Sequence, residues 1–311
     1  MSEILGGFCR DLLEDHEQGI RLDPETVAAR FVSWFGVSAI PTLDELTGLA
    51  RRTGLGEVLE GKRMDGLRGA HIGQPGGEYH IYYRDDLWEG SKAQTLAHEI
   101  YEIILENMGV KDSGSEPDPL VCLQAERFAV SVLMQPDIFA PCAEDCGLDV
   151  AALHDRFGSS YASAALRLAE VVKRPPLLVV LYGHSEKGDP ALWPAGDDLA
   201  RLRAKVVRRT RGFRAQRSQL MGGWRGGMPH RDRAVPPGSL AESAARSGET
   251  EYAEEDCLAA AATPVIWKGR LAKVAVVAVP ADYRNALEPQ LGRQEGRPDA
   301  RNNPRAALAA H

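Results

Sequence analysis

The sequence lacks the features that would place the protein in a membrane or outside the cell. No stretch approaches the run of about 18 apolar residues that a spanning helix needs. The first residues, MSEILGGFCRDLLEDHEQ, contain acids and no apolar run, which excludes a signal peptide. The five cysteines show no repeated CxxC pattern, and this distribution is typical of a reducing compartment. We therefore expect a soluble, cytoplasmic protein with no membrane partner.

The sequence also lacks an excess of basic residues. Lys and Arg number 37 against 44 Asp and Glu, and the formal net charge of -7 argues against a protein that binds nucleic acid over its whole surface. Residues 201–217 are an exception, because they carry eight basic side chains and no acid. This segment could contact nucleic-acid phosphates weakly. The alternative is a charged edge strand and loop, where Lys and Arg discourage pairing between sheets.

Length and composition are sufficient for two domains. The chain has 311 residues, and 44% of them are hydrophobic. Helical patterns dominate before Pro175 and Pro176, and strand patterns follow them. We predict an α+β protein with a first domain over residues 1–174 and a second over 175–285. Residues 286–311 are polar and contain proline, so we expect a disordered tail.

Capping residues and turns predict the elements of the first domain. Asp23 before Pro24 begins a helix that ends at Gly36, and Thr42 with Glu45 begins another. Residues 67–72 and 78–84 alternate as strands around a Gly-rich turn, which predicts a hairpin. Two helices within residues 147–173 have the outline of a helix-turn-helix pair, although such pairs are more often packing units.

The residues with the clearest chemistry lie on a helix predicted over 94–108, which Ser91 and Gln94 would begin as a capping box. His98 and Glu102 lie four residues apart and therefore share one face, with Glu99 about 100° around the axis. This pattern, HExxE, differs by one residue from the zinc-binding HExxH motif, in which two histidines hold the metal and the glutamate is the general base. A carboxylate is also a zinc ligand, so a metal site remains possible. The alternative is a helix with acids on its solvated face.

A second helix, predicted from Asp118 to Met134, supplies further ligands. Cys122 and Glu126 lie four residues apart on one face, and each is a competent zinc ligand if the two helices pack together. His71, His80 and Tyr82 belong to the predicted hairpin. They could line a substrate cleft, or they could be ordinary strand residues.

The order of these elements over residues 20–173 resembles the ImmA/IrrE family of bacterial metallopeptidases. The matching segments are AIPTLDELTGLARRTGL, the hairpin, TLAHEIYEIIL, ERFAVSVLMQP and LDVAALHDRFGSSYASAALRLAEV. The resemblance implies a zincin-like minimal metallopeptidase domain with a helix-turn-helix-like pair. It also implies a zinc-dependent endopeptidase that cuts a helix-turn-helix repressor and so releases stress or mobile-element genes. The segments GSLAESAARSGETEYAEE and TPVIWKGRLAKVAVVAVP are similar to a GAF-like sensor domain, which is also found appended to this family.

The resemblance assigns roles to individual residues and shows two departures. His98 and Glu99 match the first metal ligand and the catalytic glutamate, whereas Glu102 replaces the second histidine. Cys122 stands where the family has a third, glutamate ligand, and Glu126 is the alternative to it. Two anionic ligands would make the metal a weaker Lewis acid and cleavage slower, and Mn²⁺ or Fe²⁺ are alternatives to Zn²⁺. The rival hypothesis is a catalytically weak or inactive regulator with a peptidase fold, which binds a protein partner or DNA and senses a signal through its GAF-like domain.

Overall fold

The computed structural model describes most of the chain and confirms a mixed α+β fold. The described residues are 3–61, 66–75, 77–111, 118–184, 197–214, 216–224 and 226–291. They form two compact units, Met1–Pro136 and Asp137–His311. Among the described residues, no helix is both long and apolar enough to cross a bilayer.

The described residues of the first unit form five helices and a three-stranded sheet. The helices are α1 (Glu3–Glu17), α2 (Pro24–Phe35), α3 (Leu43–Arg52), α4 (Glu89–Asn107) and α5 (Pro119–Leu133). The strands are β1 (Gly56–Gly61), β2 (Gly69–Gly73) and β3 (Tyr79–Arg84), in the order β1-β3-β2. β3 pairs parallel to β1 and antiparallel to β2, so the predicted hairpin is present and β2 is an edge strand. One apolar core joins the helices to the buried face of this sheet.

Three helices of the first unit begin at a side-chain cap. Asp23, Thr42 and Asp118 each accept a hydrogen bond from the first turn of their helix, as the sequence predicts. The expected start of α4 at Ser91 is wrong. The helix begins earlier, at Glu89, and Ser91 is buried inside its first turn.

The second unit contains shorter helices around a five-stranded antiparallel sheet. Its helices are α6 (Pro136–Asp145), α7 (Val150–Phe157), α8 (Tyr161–Val171), α9 (Asp198–Arg201), α10 (Leu240–Ser247) and α11 (Glu288–Leu291), with a 3-10 helix at Ala281–Leu287 before α11. Its strands are β4 (Leu178–Gly183), β5 (Arg203–Arg209), β6 (Glu251–Glu255), β7 (Leu258–Trp267) and β8 (Arg270–Pro280), in the order β5-β4-β8-β7-β6. β4, β7 and β8 carry most of the residues of one apolar core cluster in this unit.

The second unit bears on three predictions from the sequence: the helical pair, the domain boundary and the disordered tail. The helical pair is present as α7 and α8, and α8 packs against β4 and β5 through buried residues that include Ala164 and Leu168. The two compact units divide after Pro136, so α7 and α8 belong to the same unit as the five-stranded sheet. The sequence had suggested a boundary at residue 174, which would place α7 and α8 in the first domain. The expectation of disorder from residue 286 is wrong for residues 286–291, because Leu287 and Gln290 are buried there. Residues 292–311 lie outside the described part of the chain.

Candidate metal centre

Helices α4 and α5 bring three predicted ligands together. His98 and Glu102 lie one turn apart on α4, and Cys122 lies in the first turn of the adjacent α5. Nε2 of His98 is 3.2 Å from Oε1 of Glu102, and Sγ of Cys122 is 3.9 Å from the same oxygen. The ligand atoms of all three residues lie within 4.8 Å of one another. Oε1 of Glu102 is therefore the atom that both other side chains contact.

The other oxygen of Glu102 is bound by a lysine. Nζ of Lys111 is 2.6 Å from Oε2 of Glu102, in an ion pair whose two side chains are almost buried. Burial alone would raise the pKa of Glu102, but hydrogen bonds from His98 and Lys111 hold that pKa at about 2. Glu102 is therefore ionised, with Oε1 directed at the other ligands and Oε2 at the ammonium.

Cys122 is a neutral thiol in this arrangement. Partial burial raises its pKa, and the negative charge of Glu102 raises it further. A divalent cation would reverse this preference, because a thiol that coordinates a metal is deprotonated.

Glu99, the predicted general base, is held by the hairpin. Its side chain is 9% exposed, and Oε2 lies 2.7 Å from Nδ1 of His71 on β2. The other ring nitrogen of His71, Nε2, lies 2.9 Å from Oε1 of Glu106 on α4. Burial lowers the pKa of His71, but these two carboxylates outweigh burial and the pKa is raised. As an imidazolium, His71 can donate to both carboxylates at once.

A glycine lets β2 approach α4 closely enough for this contact. A Cβ at Gly69 would lie 2.3 Å from Cγ2 of Thr95 and 3.0 Å from Oε1 of Glu99. Residues two apart on a strand share a face, so the bare side of Gly69 and the imidazole of His71 both face α4. The absence of a side chain at Gly69 therefore sets the distance between His71 and Glu99.

His71 also belongs to a second group of possible ligands. Ligand atoms of His71, Glu99 and Glu102 lie within 4.8 Å of one another, so Glu102 is shared by two overlapping sets. The first set contains a thiol, whereas the second contains only imidazole and carboxylates.

The remaining predicted site residues lie away from the cluster. Glu126 is exposed, and neither ligand group in the described part of the chain includes it. His80 and Tyr82 alternate on β3 with buried residues such as Ile81, so they lie on the sheet face opposite α4, where the Tyr82 hydroxyl is 3.5 Å from Nδ1 of His80. Of the three proposed cleft residues, the structure brings only His71 to the site.

Sequence reasoning did not single out Glu106 and Lys111. A signal for Glu106 was present, because it follows Glu99 by seven residues and Glu102 by four, which places all three on one face of α4. Lys111 lies beyond the end of α4, and no spacing rule connects it with the helix. Its Nζ is also 3.6 Å from Oε1 of Glu106.

The residues present fit a divalent cation. His98, Glu102 and Cys122 would supply nitrogen, oxygen and sulfur ligands, and three protein ligands leave a fourth position open, as in catalytic zinc sites. The ion pair with Lys111 orients the Glu102 carboxylate, but its positive charge opposes an incoming cation. The metal identity does not follow from this donor set alone.

The arrangement of candidate ligands on two packed helices is that of a metallopeptidase-like domain, and comparison with known proteins agrees with this class. Residues 59–169 match the family model Peptidase_M78, described as an IrrE N-terminal-like domain. The resemblance to the ImmA/IrrE family is thereby confirmed for this part of the chain, which includes β2, β3, α4 and α5.

The fold of the chain is also similar to a solved structure. A Mycobacterium tuberculosis transcriptional regulator is similar with a TM-score of 0.52 and 14% identity, over 86% of this chain and 79% of that one. At this identity the likeness concerns the fold alone. No curated protein sequence matches the chain.

Proposed function

We propose that the protein is a metal-dependent endopeptidase that cleaves a protein substrate. The convergence of His98, Glu102 and Cys122 beside a buried Glu99 carries this proposal. A bound Zn²⁺, or alternatively Mn²⁺ or Fe²⁺, would polarise the peptide carbonyl and acidify a water molecule. Glu99 would take the proton from the attacking water and pass it to the leaving amine.

The surroundings of Glu99 and Glu102 would tune this activity. His71 fixes the orientation of the Glu99 carboxylate, but it also occupies one oxygen of that carboxylate for as long as the imidazole is charged. Lys111 offsets the extra negative charge that Glu102 brings in place of a histidine. We expect slow cleavage that depends on conditions, because thiolate and carboxylate ligands together weaken the Lewis acidity of the metal.

The edge strand beside the site supports an extended peptide as substrate. β2 is at the edge of its sheet within the described part of the chain, and Ile72 on β2 is 53% exposed. An extended peptide can add to such an edge through main-chain hydrogen bonds. A helix-turn-helix repressor is the substrate that the family resemblance favours, and a GAF-like second domain over residues 175–285 would gate access in response to a signal.

The test of this proposal begins with metal content. Elemental analysis would compare the wild type with His98→Ala and Cys122→Ala proteins, all purified without added metal and then offered zinc. About one zinc per chain in the wild type, lost in both variants, would support the site. Cleavage of candidate repressors would then be followed with Glu99→Gln as the inactive control. A wild type that binds no metal, even after zinc is offered, would exclude the peptidase.

A second candidate is a regulator that uses the peptidase fold without cleavage. The ion pairs Lys111–Glu102 and His71–Glu99 favour it, because they satisfy the buried carboxylates with no metal at all. This candidate predicts partner or duplex binding that is the same for the wild type and the Glu99→Gln protein, with no product in either case.

A further inference from the structure

We propose that His71, Glu99 and Glu102 form a second cation site. It overlaps the group of His98, Glu102 and Cys122 only at Glu102. The three ligand atoms lie within 4.8 Å of one another, and the side chains of His71, Glu99 and Glu102 are only 8%, 9% and 12% exposed. The site is thus enclosed, unlike a chance group of acids on a solvated helix face.

If a cation replaced the proton on Nδ1, His71 would have the surroundings of a metal-ligating histidine. Such residues usually donate the second ring N–H to a carboxylate, which fixes the tautomer and ring orientation. Nε2 of His71 has this contact with Glu106 at 2.9 Å, and Glu106 is 4% exposed. The neutral imidazole with its proton on Nε2 would therefore present the Nδ1 lone pair to Glu99 and Glu102.

The spacing needs only a small adjustment. Nδ1 of His71 and Oε2 of Glu99 are 2.7 Å apart. Ligands at about 2.0–2.2 Å from a cation are separated from each other by about 3–3.5 Å. A cation between them would therefore push the two atoms apart by well under 1 Å.

The charge of the cluster favours a divalent cation. The carboxylates of Glu102 and Glu106 contact the ammonium of Lys111, and those of Glu99 and Glu106 contact the ring of His71. A divalent ion on a neutral His71 would balance these charges, and buried charges are stable only when they are paired. Imidazole with carboxylates suits Mn²⁺ or Fe²⁺, whereas the set with Cys122 suits zinc.

The second cation would inhibit cleavage, because it takes the carboxylate that has to accept the proton of water. This consequence rests on the proposed function, whereas the site itself does not. An excess of Mn²⁺ over the zinc-loaded protein would then stop turnover without removing zinc.

The test measures both cations on the full-length protein. Mn²⁺ is titrated into four proteins that have each been offered zinc: the wild type, His71→Asn, Glu106→Gln and Cys122→Ser. Electron paramagnetic resonance measures free Mn²⁺, and elemental analysis measures bound zinc. We expect Mn²⁺ to bind the wild type with zinc retained, and to bind His71→Asn and Glu106→Gln more weakly by about tenfold or more. Cys122→Ser should lose zinc and keep Mn²⁺.

Two outcomes would overturn the second site. The first is that Mn²⁺ displaces zinc one for one from the wild type. The second is that the wild type and Glu106→Gln bind Mn²⁺ with equal affinity. Glu106→Gln is nearly isosteric, so it decides the question if His71→Asn proves unfolded by circular dichroism. A wild type that binds Mn²⁺ through His71 but takes up no zinc would contradict the proposed function and leave this inference standing.

Discussion

Nζ of Lys111 lies 2.6 Å from Oε2 of Glu102, the carboxylate that both ligand groups share. The ammonium thus sits where part of the positive charge of a metal ion would otherwise be. A cation that enters the cluster must bind a carboxylate that is already paired with the ammonium of Lys111. Metal affinity and the state of Lys111 are consequently linked.

Replacement of Lys111 by methionine should tighten metal binding. The neutral side chain removes the repulsion of an incoming cation, and we expect zinc affinity to rise by about tenfold, measured by competition with a chelating dye. Lys111→Arg keeps the charge and should leave the affinity near that of the wild type. Lys92→Met is the matched control, because Lys92 pairs with Glu60 and not with the ligand cluster. Equal affinities in all four proteins would exclude this role of Lys111.

Replacement of Glu99 by glutamine should separate metal binding from cleavage. The amide would keep the volume of the side chain but could not accept the proton, so the cleavage rate should fall at least about a hundredfold. Zinc content should stay near one per chain if Glu99 is not a ligand of that ion. Cleavage by the Glu99→Gln protein at the wild-type rate would show that another group acts as the base.

Acid should destabilise the metal-free protein through Glu102. Its pKa is lowered in the folded state to about 2, so its stabilising effect is complete above the unfolded value of 4.5 and is lost as the pH falls towards 2. We expect the free energy of unfolding to drop in this window by a few kcal/mol at most, measured by urea denaturation. Glu102→Gln should be less stable at neutral pH and lose less stability between pH 4.5 and pH 2. The same pH dependence in both proteins would contradict the assignment.

Alanine at Gly69 should disturb the site, whereas alanine at Gly73 should not. The Cβ at position 69 would overlap Thr95, and overpacking of this kind costs about 1–3 kcal/mol. At position 73 the nearest atom is Cε1 of Tyr79 at 3.8 Å, which is an ordinary contact. Thermal unfolding with and without zinc would compare the two variants. Similar stability and zinc content in both would show that β2 has room to move away from α4.

The basic segment provides a test of the DNA-binding alternative. β5 is an edge strand, as the second interpretation of residues 201–217 predicts, and Arg208 and Arg209 on it are exposed. If this strand contacts phosphates, the affinity for duplex DNA should fall steeply as the salt concentration rises. A double variant with Arg208→Glu and Arg209→Glu should show a weaker dependence of that affinity on salt. Fluorescence anisotropy with a labelled duplex would measure both effects. No binding up to tens of micromolar protein would favour the structural role of an edge strand.

Local signals predicted the helices and the hairpin well. Asp23, Thr42 and Asp118 each cap a helix, because a short polar side chain just before an apolar periodic run can accept hydrogen bonds from the first turn. β1 was not predicted, because its parallel pairing with β3 depends on residues more than twenty positions away and leaves little local pattern. The start of α4 was misplaced because Trp88 precedes it without any side-chain cap.

The candidate site was predictable where it depends on helical spacing and on the packing of two neighbouring helices. Helical spacing placed His98 and Glu102 on one face, and the packing of α4 on α5 then brought Cys122 to them, as expected. The contact of His71 with Glu99 depends instead on how closely β2 approaches α4, which Gly69 decides in three dimensions. Lys111 reaches Glu102 from beyond the helix end, and no sequence period describes such a contact.

The end of the described chain affects how shortened versions of the protein should be designed. A version that stops at Asn285, the boundary suggested by composition, would remove Leu287 and Gln290. Leu287 is completely buried, and the Gln290 amide donates a hydrogen bond to the carbonyl oxygen of Gly147. Such a protein would expose apolar surface, so a shortened version has to keep residues 286–291.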